Sequence, residues 1–309
     1  MRIVLFCAAR RGLLFLKRLA ELSPGDDLIV FSFREEPWEP PFLDDIRTMT
    51  LAHGGQLFEA KQVASPSWSE FWESAKVDLL FAVGWRYLIP AAVYRRARLG
   101  AFVFHDSLLP EYRGFSPTVW AIVNGEDHTG VTLFEIAEEV DAGDIVDQER
   151  VPIGPDDAIA VVVERVTQTY LNLLERNLDK LVGGTAPRHR QDHSRATYTC
   201  KRLPEDNQID WAASSESVYN LIRAVSAPYP GAYTYLSGQK VRVWSARRLP
   251  HARRHIGRIP GRVVEVRRGE GTVVLTGDGS LFLTEVQIEG GKIVCAADVL
   301  NSLGQTLGR

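Results

Sequence analysis

The 309-residue chain is poor in cysteine and methionine, and it has no apolar run long enough to cross a bilayer. Its three cysteines, Cys7, Cys200 and Cys295, are odd in number and far apart, with no Cys-x-x-Cys or Cys/His ligand spacing. Neither a disulfide framework nor a metal site is therefore expected, and the thiols point to a reducing compartment. The amino-terminal apolar run from Ile3 to Ala9 is broken by Arg10 and Arg11. It is too short for a signal-peptide core, so a cytoplasmic location without a membrane partner is expected. An excess of positive charge is also missing: 36 Lys and Arg stand against 39 Asp and Glu, a net charge of −3 that argues against a dedicated nucleic-acid binder. Finally, the first strand-to-helix turn, Cys7-Ala8-Ala9-Arg10-Arg11-Gly12, offers one glycine in place of Gly-x-Gly-x-x-Gly. A dinucleotide pyrophosphate would lack its close backbone approach there, and NAD use is not expected.

What is present describes an ordinary globular protein, 45% apolar and 24% charged, at a length that favours two domains. The first half alternates short apolar runs with helix-period segments, which predicts a Rossmann-like α/β domain with a mostly parallel sheet. Strands are expected at 2–7, 27–33, 78–83, 102–105, 131–136 and 144–151, and helices at 12–22 and 158–181. Residues 184–207 lack periodicity and read as a linker after a first domain of 1–183. In 208–309 a helix at 214–225 precedes strand-like runs at 232–236, 240–246, 261–266, 271–276 and 281–288, which suggests a small, OB-like β-barrel.

The most informative stretch is Phe102-Val103-Phe104-His105-Asp106-Ser107-Leu108-Leu109-Pro110-Glu111-Tyr112-Arg113-Gly114, followed at a distance by Val140-Asp141-Ala142-Gly143-Asp144-Ile145. A β-branched and aromatic run ending in His, then a turn, puts an imidazole at the carboxyl end of a buried strand, where open α/β sheets place their ligands. A second segment then brings a carboxylate. Together they suffice for general acid–base work near neutral pH. The other six histidines, His53, His128, His189, His193, His251 and His255, read as ordinary surface or core residues.

This stretch resembles the signature of the 10-formyltetrahydrofolate-dependent formyltransferases, Asn-x-His-x-Ser-Leu-Leu-Pro with a later Asp-x-Gly-x-Ile. His105, Ser107, Leu108, Leu109, Pro110, Asp141, Gly143 and Ile145 match, and Val103 stands where the family has Asn. The resemblance extends over nearly the whole chain, including 204–211 and 223–232, segments shared by methionyl-tRNA formyltransferase and UDP-4-amino-4-deoxy-L-arabinose formyltransferase. It implies His105 as catalytic base with Asp141 hydrogen-bonded to it, and 10-formyltetrahydrofolate as co-substrate. It also implies a folate site formed by Tyr87, Leu88, Ile89, Ala137, Glu138, Glu139, Val140 and Asp141, and substrate contacts from Ser107 and Arg113. Strand alternation puts positions 103 and 105 on one face, so Val103 takes the place of the amide that would donate to the oxyanion. Losing such a donor costs on the order of 10²–10³ in turnover unless Ser107, a backbone N–H or protonated His105 replaces it.

For the acceptor the resemblance implies a small primary amine, with a nucleotide-linked amino sugar favoured over nucleic acid and with room for a homodimer. The segment 34–45 is acidic and proline-rich where tRNA enzymes carry a basic loop. Against this, arginines crowd 242–268, either as a solvated face or as an anion site. Hydrolysis of formyl-folate, transfer of another one-carbon or acyl unit, an idle ligand-binding protein, and methionyl-tRNA formylation stand as alternatives.

Overall fold

The computed structural model describes residues 1–36, 39–249, 251 and 253–309; Pro37 and Trp38 of the acidic segment lie outside them. Contacts divide the chain into two compact units that interleave in sequence. Met1–Gly114, Gly130–Val151 and Arg165–Tyr198 form the first, and Phe115–Thr129, Pro152–Glu164 and Thr199–Arg309 the second.

The first unit is built on strands β1 (Arg2–Cys7), β2 (Asp27–Ser32), β3 (Gln56–Glu59), β4 (Leu79–Val83), β5 (Gly100–His105), β7 (His128–Glu135) and β8 (Ile145–Pro152), with the short β6 at Arg113–Gly114; a further short strand, β9, is Tyr198–Thr199. Their order in the sheet is β3-β2-β1-β4-β5-β7-β8. Pairings from β3 to β5 are all parallel, and β7 runs antiparallel to β5. The mostly parallel sheet expected from the sequence is thus present. Central strand β4, and β1 from Ile3 onward, are apolar because both of their faces are covered.

Helix α1 (Ala9–Leu22) buries Gly12, Phe15, Leu16, Leu19 and Ala20, the single stripe that its 3.6-residue period dictates. It starts earlier than the periodicity suggests. Gly12 is needed for its close approach to β1: a Cβ there would lie 2.9 Å from that of Cys7. Helices α2 (Leu43–Ala52), α3 (Ser69–Ser74) and α4 (Ala91–Tyr94) were not resolved by periodicity, since each is short, while α6 (Ile159–Val182) matches the long amphipathic segment. On one face of the sheet Val4, Phe6, Ile29, Phe31, Leu80 and Ala82 join Trp72 in a core against which Trp85, Ile89, Val103 and Ile136 pack. On the other, Phe15 of α1 meets Phe81 and Phe104 edge-on.

The second unit contains α5 (Pro117–Val123), α7 (Ser215–Val225) and α8 (Ala296–Val299). It also holds an antiparallel sheet of β10 (Ala232–Leu236), β11 (Gln239–Arg248), β12 (Val263–Arg267), β13 (Gly271–Leu275), β14 (Ser280–Ile288) and β15 (Ile293–Cys295). Strand order is β10-β11-β14-β13-β12, with β15 beside β14. Ser237 and Gly238, at φ 50° and 79°, form the two-residue turn between β10 and β11, the geometry that matches strand twist. The two outer strands meet through the carboxyl terminus, where Leu307 bridges Leu236 and Thr306 bridges Arg262. Much of the arginine stretch is paired within this unit: Arg248 with Glu216 and Asp156, Arg267 with Glu265, and Arg242 with Glu289.

Candidate functional site

Strand β5 ends the run Val103-Phe104-His105, and its alternation sends the three side chains to opposite faces. Val103 joins the partly buried apolar residues packed against the first core, along with Ile89 and Ile136. His105 is only 8% exposed. Its Nε2 lies 2.9 Å from the carbonyl oxygen of Tyr112. A carbonyl only accepts, so Nε2 carries the hydrogen and Nδ1 is the lone-pair nitrogen of the neutral ring. That nitrogen faces Asp141 Oδ2 at 3.7 Å. The structure therefore brings His105 and Asp141 together, although at a separation wider than the hydrogen bond expected from the sequence. The imidazole is oriented by Tyr112 instead.

Both groups that address the imidazole sit on left-handed backbone, Tyr112 at φ 60° and Asp141 at φ 54°, a conformation costing about 1 kcal/mol or more for residues with side chains. Asp141 Oδ2 accepts from the Gly114 N–H at 2.8 Å, which anchors the carboxylate. The glycine of Asp-x-Gly has a steric cause. A Cβ on Gly143 would come within 1.7 Å of the Glu135 carbonyl oxygen, so only glycine lets the 136–144 turn fold back under β7.

The Ser-Leu-Leu-Pro loop is rigidly bonded. Ser107 Oγ donates to the Glu111 carbonyl at 2.7 Å, and Thr132 Oγ1 donates to the Ser107 carbonyl at 2.6 Å. Gln148 Nε2 reaches the Leu109 carbonyl at 2.9 Å, and the Tyr112 N–H donates to Thr197 Oγ1 at 2.8 Å. Ser107, expected at the substrate, is thus 3% exposed with its proton committed to the loop.

Arg113, also expected at the substrate, is 1% exposed. Its Nη2 donates to Gln191 Oε1 at 2.7 Å and lies 3.0 Å from His193 Nδ1, while Nη1 stands 3.6 Å from Glu139. Gln191 Nε2 in turn donates to the carbonyls of Asp141 and Gly143, at 2.9 and 2.7 Å. Through Gln191, Arg113 props the turn that carries Asp141. Gln191 went unnoticed in the sequence because a single glutamine in a segment without periodicity carries no signal.

Of the segments expected to bind folate, the 137–141 turn carries Asp141, and Ile89 packs against the same apolar core as Val103. Tyr87 packs edge-on against Phe33 and Trp85, and Ile89 lies against the apolar core. Leu88 and Val140 stand in water, 78% and 54% exposed, while Ala137 is partly covered and Glu138 and Glu139 are open. Two buried polar atoms in this unit have no partner among the described residues: the Trp85 indole N–H and the Ser32 hydroxyl. A buried donor left unpaired costs about 1–3 kcal/mol, so a ring bearing acceptors beside Trp85 would relieve it. Apolar side chains in solvent together with an unpaired donor fit a flat, polar-edged ring. Two cavities lie elsewhere among the described residues, one lined by Ile145 to Gln148, Asn177 and His189, the other by Tyr219, Arg247, Arg248 and Leu281.

Of the acidic segment's described residues, Glu39 forms a two-point ion pair with Arg86, and Glu36 stands 3.8 Å from Lys61. Part of its negative charge is therefore neutralised locally.

A family model described as "Formyl transferase" matches residues 30–178, and one described as "Formyl transferase, C-terminal domain" matches 202–304. Among solved structures, HypX from Aquifex aeolicus in complex with tetrahydrofolic acid is similar over 97% of this chain at 22% identity and a TM-score of 0.65. This chain spans about half of HypX, 47% of its length. An N-formyltransferase from Helicobacter canadensis, with folinic acid and dTDP-3-aminofucose, is similar over 91% of this chain and 98% of its own, at 16% identity and TM-score 0.67. Methionyl-tRNA formyltransferase from Clostridium thermocellum follows at 16% identity and TM-score 0.59, over 81% of this chain and 94% of its own. At such identities these likenesses concern the fold.

Proposed function

Because the chain belongs to the formyl transferase family, we propose that it transfers a formyl group from 10-formyltetrahydrofolate to the primary amine of a small acceptor, a nucleotide-linked amino sugar being the favoured class. The observation that carries this reading is the His105 imidazole, oriented through Nε2 and presenting Nδ1 to Asp141 at 3.7 Å.

In this reading Nδ1 removes a proton from the attacking amine, and Asp141 stabilises the imidazolium that results. At 3.7 Å Nδ1 is not hydrogen-bonded to the carboxylate, so its lone pair is not already engaged there. The co-substrate, when bound, supplies an electrophilic formyl carbon. Tyr87, Leu88, Ile89 and the 137–141 turn would hold it, the unpaired Trp85 N–H and the exposed Leu88 and Val140 being in favour. Val103 offers no donor to developing negative charge. With the Ser107 hydroxyl engaged by Glu111, protonated His105 is the side-chain donor that remains of those considered. Arg113 supports the turn rather than contacting the acceptor, given its burial. We assign catalysis to residues 1–183 and keep 184–207 and 208–309 as linker and carboxyl-terminal domain.

Support for a nucleotide-sugar acceptor comes from the dTDP-3-aminofucose of the similar Helicobacter enzyme and from the acidic segment, which disfavours a phosphate backbone. Purified protein incubated with 10-formyltetrahydrofolate and a panel of amino-sugar nucleotides should yield, by mass spectrometry, an acceptor heavier by one formyl group. Formate released equally with and without amine would overturn the transfer reading in favour of hydrolysis. Salt-dependent binding and formylation of initiator tRNA would overturn the choice of acceptor.

A further inference from the structure

His105 sits between two residues that the catalytic reading does not use. Alternation puts Phe104 on the side of β5 away from the imidazole, and Asp106, just past the strand end, is tied to helices α1 and α6 by Arg11 and Tyr170. Asp106 is mostly buried, with its two carboxylate oxygens 2.6 and 2.7 Å from Arg11 Nη1 on α1. Tyr170 on α6 brings its hydroxyl against Asp106 Oδ1 and within 2.9 Å of the Phe104 carbonyl oxygen, so one phenolic proton serves acceptors on either side of His105. Arg11 Nε donates to Thr167 Oγ1 at 3.3 Å, and the guanidinium lies 4.6 Å from the centre of the Tyr170 ring. That ring stacks on Phe104 at 5.2 Å. Burial pushes the Asp106 carboxyl up, but Arg11 outweighs it and holds the group below the ordinary carboxylate range. Burial and then Asp106 push the Tyr170 phenol well up, so it stays a donor.

Buried ion pairs of this kind seldom stabilise a fold more than apolar packing of the same volume. Stability alone is a weak account of why one sits directly behind the catalytic strand end.

We infer that Asp106, clamped by Arg11 and Tyr170, is a positioning residue that fixes the His105 imidazole from behind its strand. Asp106 does not reach the reacting atoms; it acts through the main chain. With the residues before and after His105 both held, Nε2 stays on the Tyr112 carbonyl and Nδ1 stays turned toward Asp141. A displacement of about 1 Å costs on the order of 10²-fold in rate.

The kinetic arm of the test rests on the formyl-transfer reading, and the spectroscopic arm does not. Tyr170→Phe keeps the stacked ring and removes the shared proton, while Asp106→Asn keeps shape and removes charge. Each should lower kcat by about 10- to 100-fold per folded molecule, with the KM of both substrates within about threefold, and the double variant should be no worse than the more damaged single one. Nitrogen-15 NMR of the His105 ring should show the Nε2–H tautomer alone in the parent and a mixture of tautomers in each variant. Activity that falls only with the folded fraction in a melting curve, or a tautomer unchanged in both variants, overturns the clamp. If the parent protein formylates no amine at all, the transfer reading falls and the ring spectra alone decide: mixed tautomers retain the clamp, unchanged ones remove it.

Discussion

The two sides of the β5 end are built differently. On one side Val103 packs against the apolar core and His105 is held by the Tyr112 carbonyl; elsewhere in the same unit Leu88 and Val140 stand in solvent and the Trp85 N–H is buried without a partner among the described residues. On the other, Phe104 and Asp106 are held by stacking, a guanidinium and a phenol. On the proposed reading, the first side is the one that meets substrate. The second side is tied to two helices through Arg11 and Tyr170.

Removing the imidazole on the first side should have the largest consequence. His105→Ala is expected to lower kcat by about 10²–10⁴-fold per folded molecule, measured by product formation, with a loss of about 1–3 kcal/mol in stability from the unpaired Tyr112 carbonyl, measured by circular dichroism. A parent-like rate would place the chemistry elsewhere. Gly143→Ala forces a Cβ into the Glu135 carbonyl and should cost about 2–4 kcal/mol in urea unfolding, with activity lost because Asp141 moves. Next in size, Gln191→Ala leaves the Arg113 guanidinium short of its main acceptor and frees the Asp141 turn. A loss of about 1–3 kcal/mol is expected, together with a lower kcat at saturating substrate.

The second side has its own signature in acid. Asp106 titrates lower folded than unfolded, so its contribution is fully present above about pH 4 and fades as pH falls through the folded value. Asp106→Asn should flatten the acid limb of a stability–pH curve measured by urea melts between pH 5 and 2.5; an unchanged limb would mean the ion pair does not form. The smallest effect belongs to Val103→Asn, which returns a donor to the first face and should leave formyl transfer unchanged or raise it. A tenfold loss would show that this face has been reshaped around the valine.

Much of this arrangement was legible in the residues because it depends on local signals. The β1, α1, β5 and α6 segments announce themselves by apolar period, and the turn chemistry of 232–248 marks a hairpin whatever surrounds it. The approach of His105 to Asp141 was legible for a different reason, the resemblance to a motif that carries a His and a later Asp. Short elements escaped: α2, α4 and β3 are settled by what packs on them, since ten residues or fewer carry little period. So did Gln191, Arg11 and Tyr170, which lie far along the chain from the groups they touch.

Composition and pattern by themselves determined a parallel α/β unit, an antiparallel carboxyl-terminal sheet and one His at a strand end, because alternation and helical period are properties of neighbouring residues. Only the folded chain decided which nitrogen of His105 faces Asp141, that Arg113 and Ser107 turn inward, and that Asp106 is gripped from two helices. Those outcomes depend on distances between residues as far apart as 11 and 170, and such distances exist only after the chain has closed on itself.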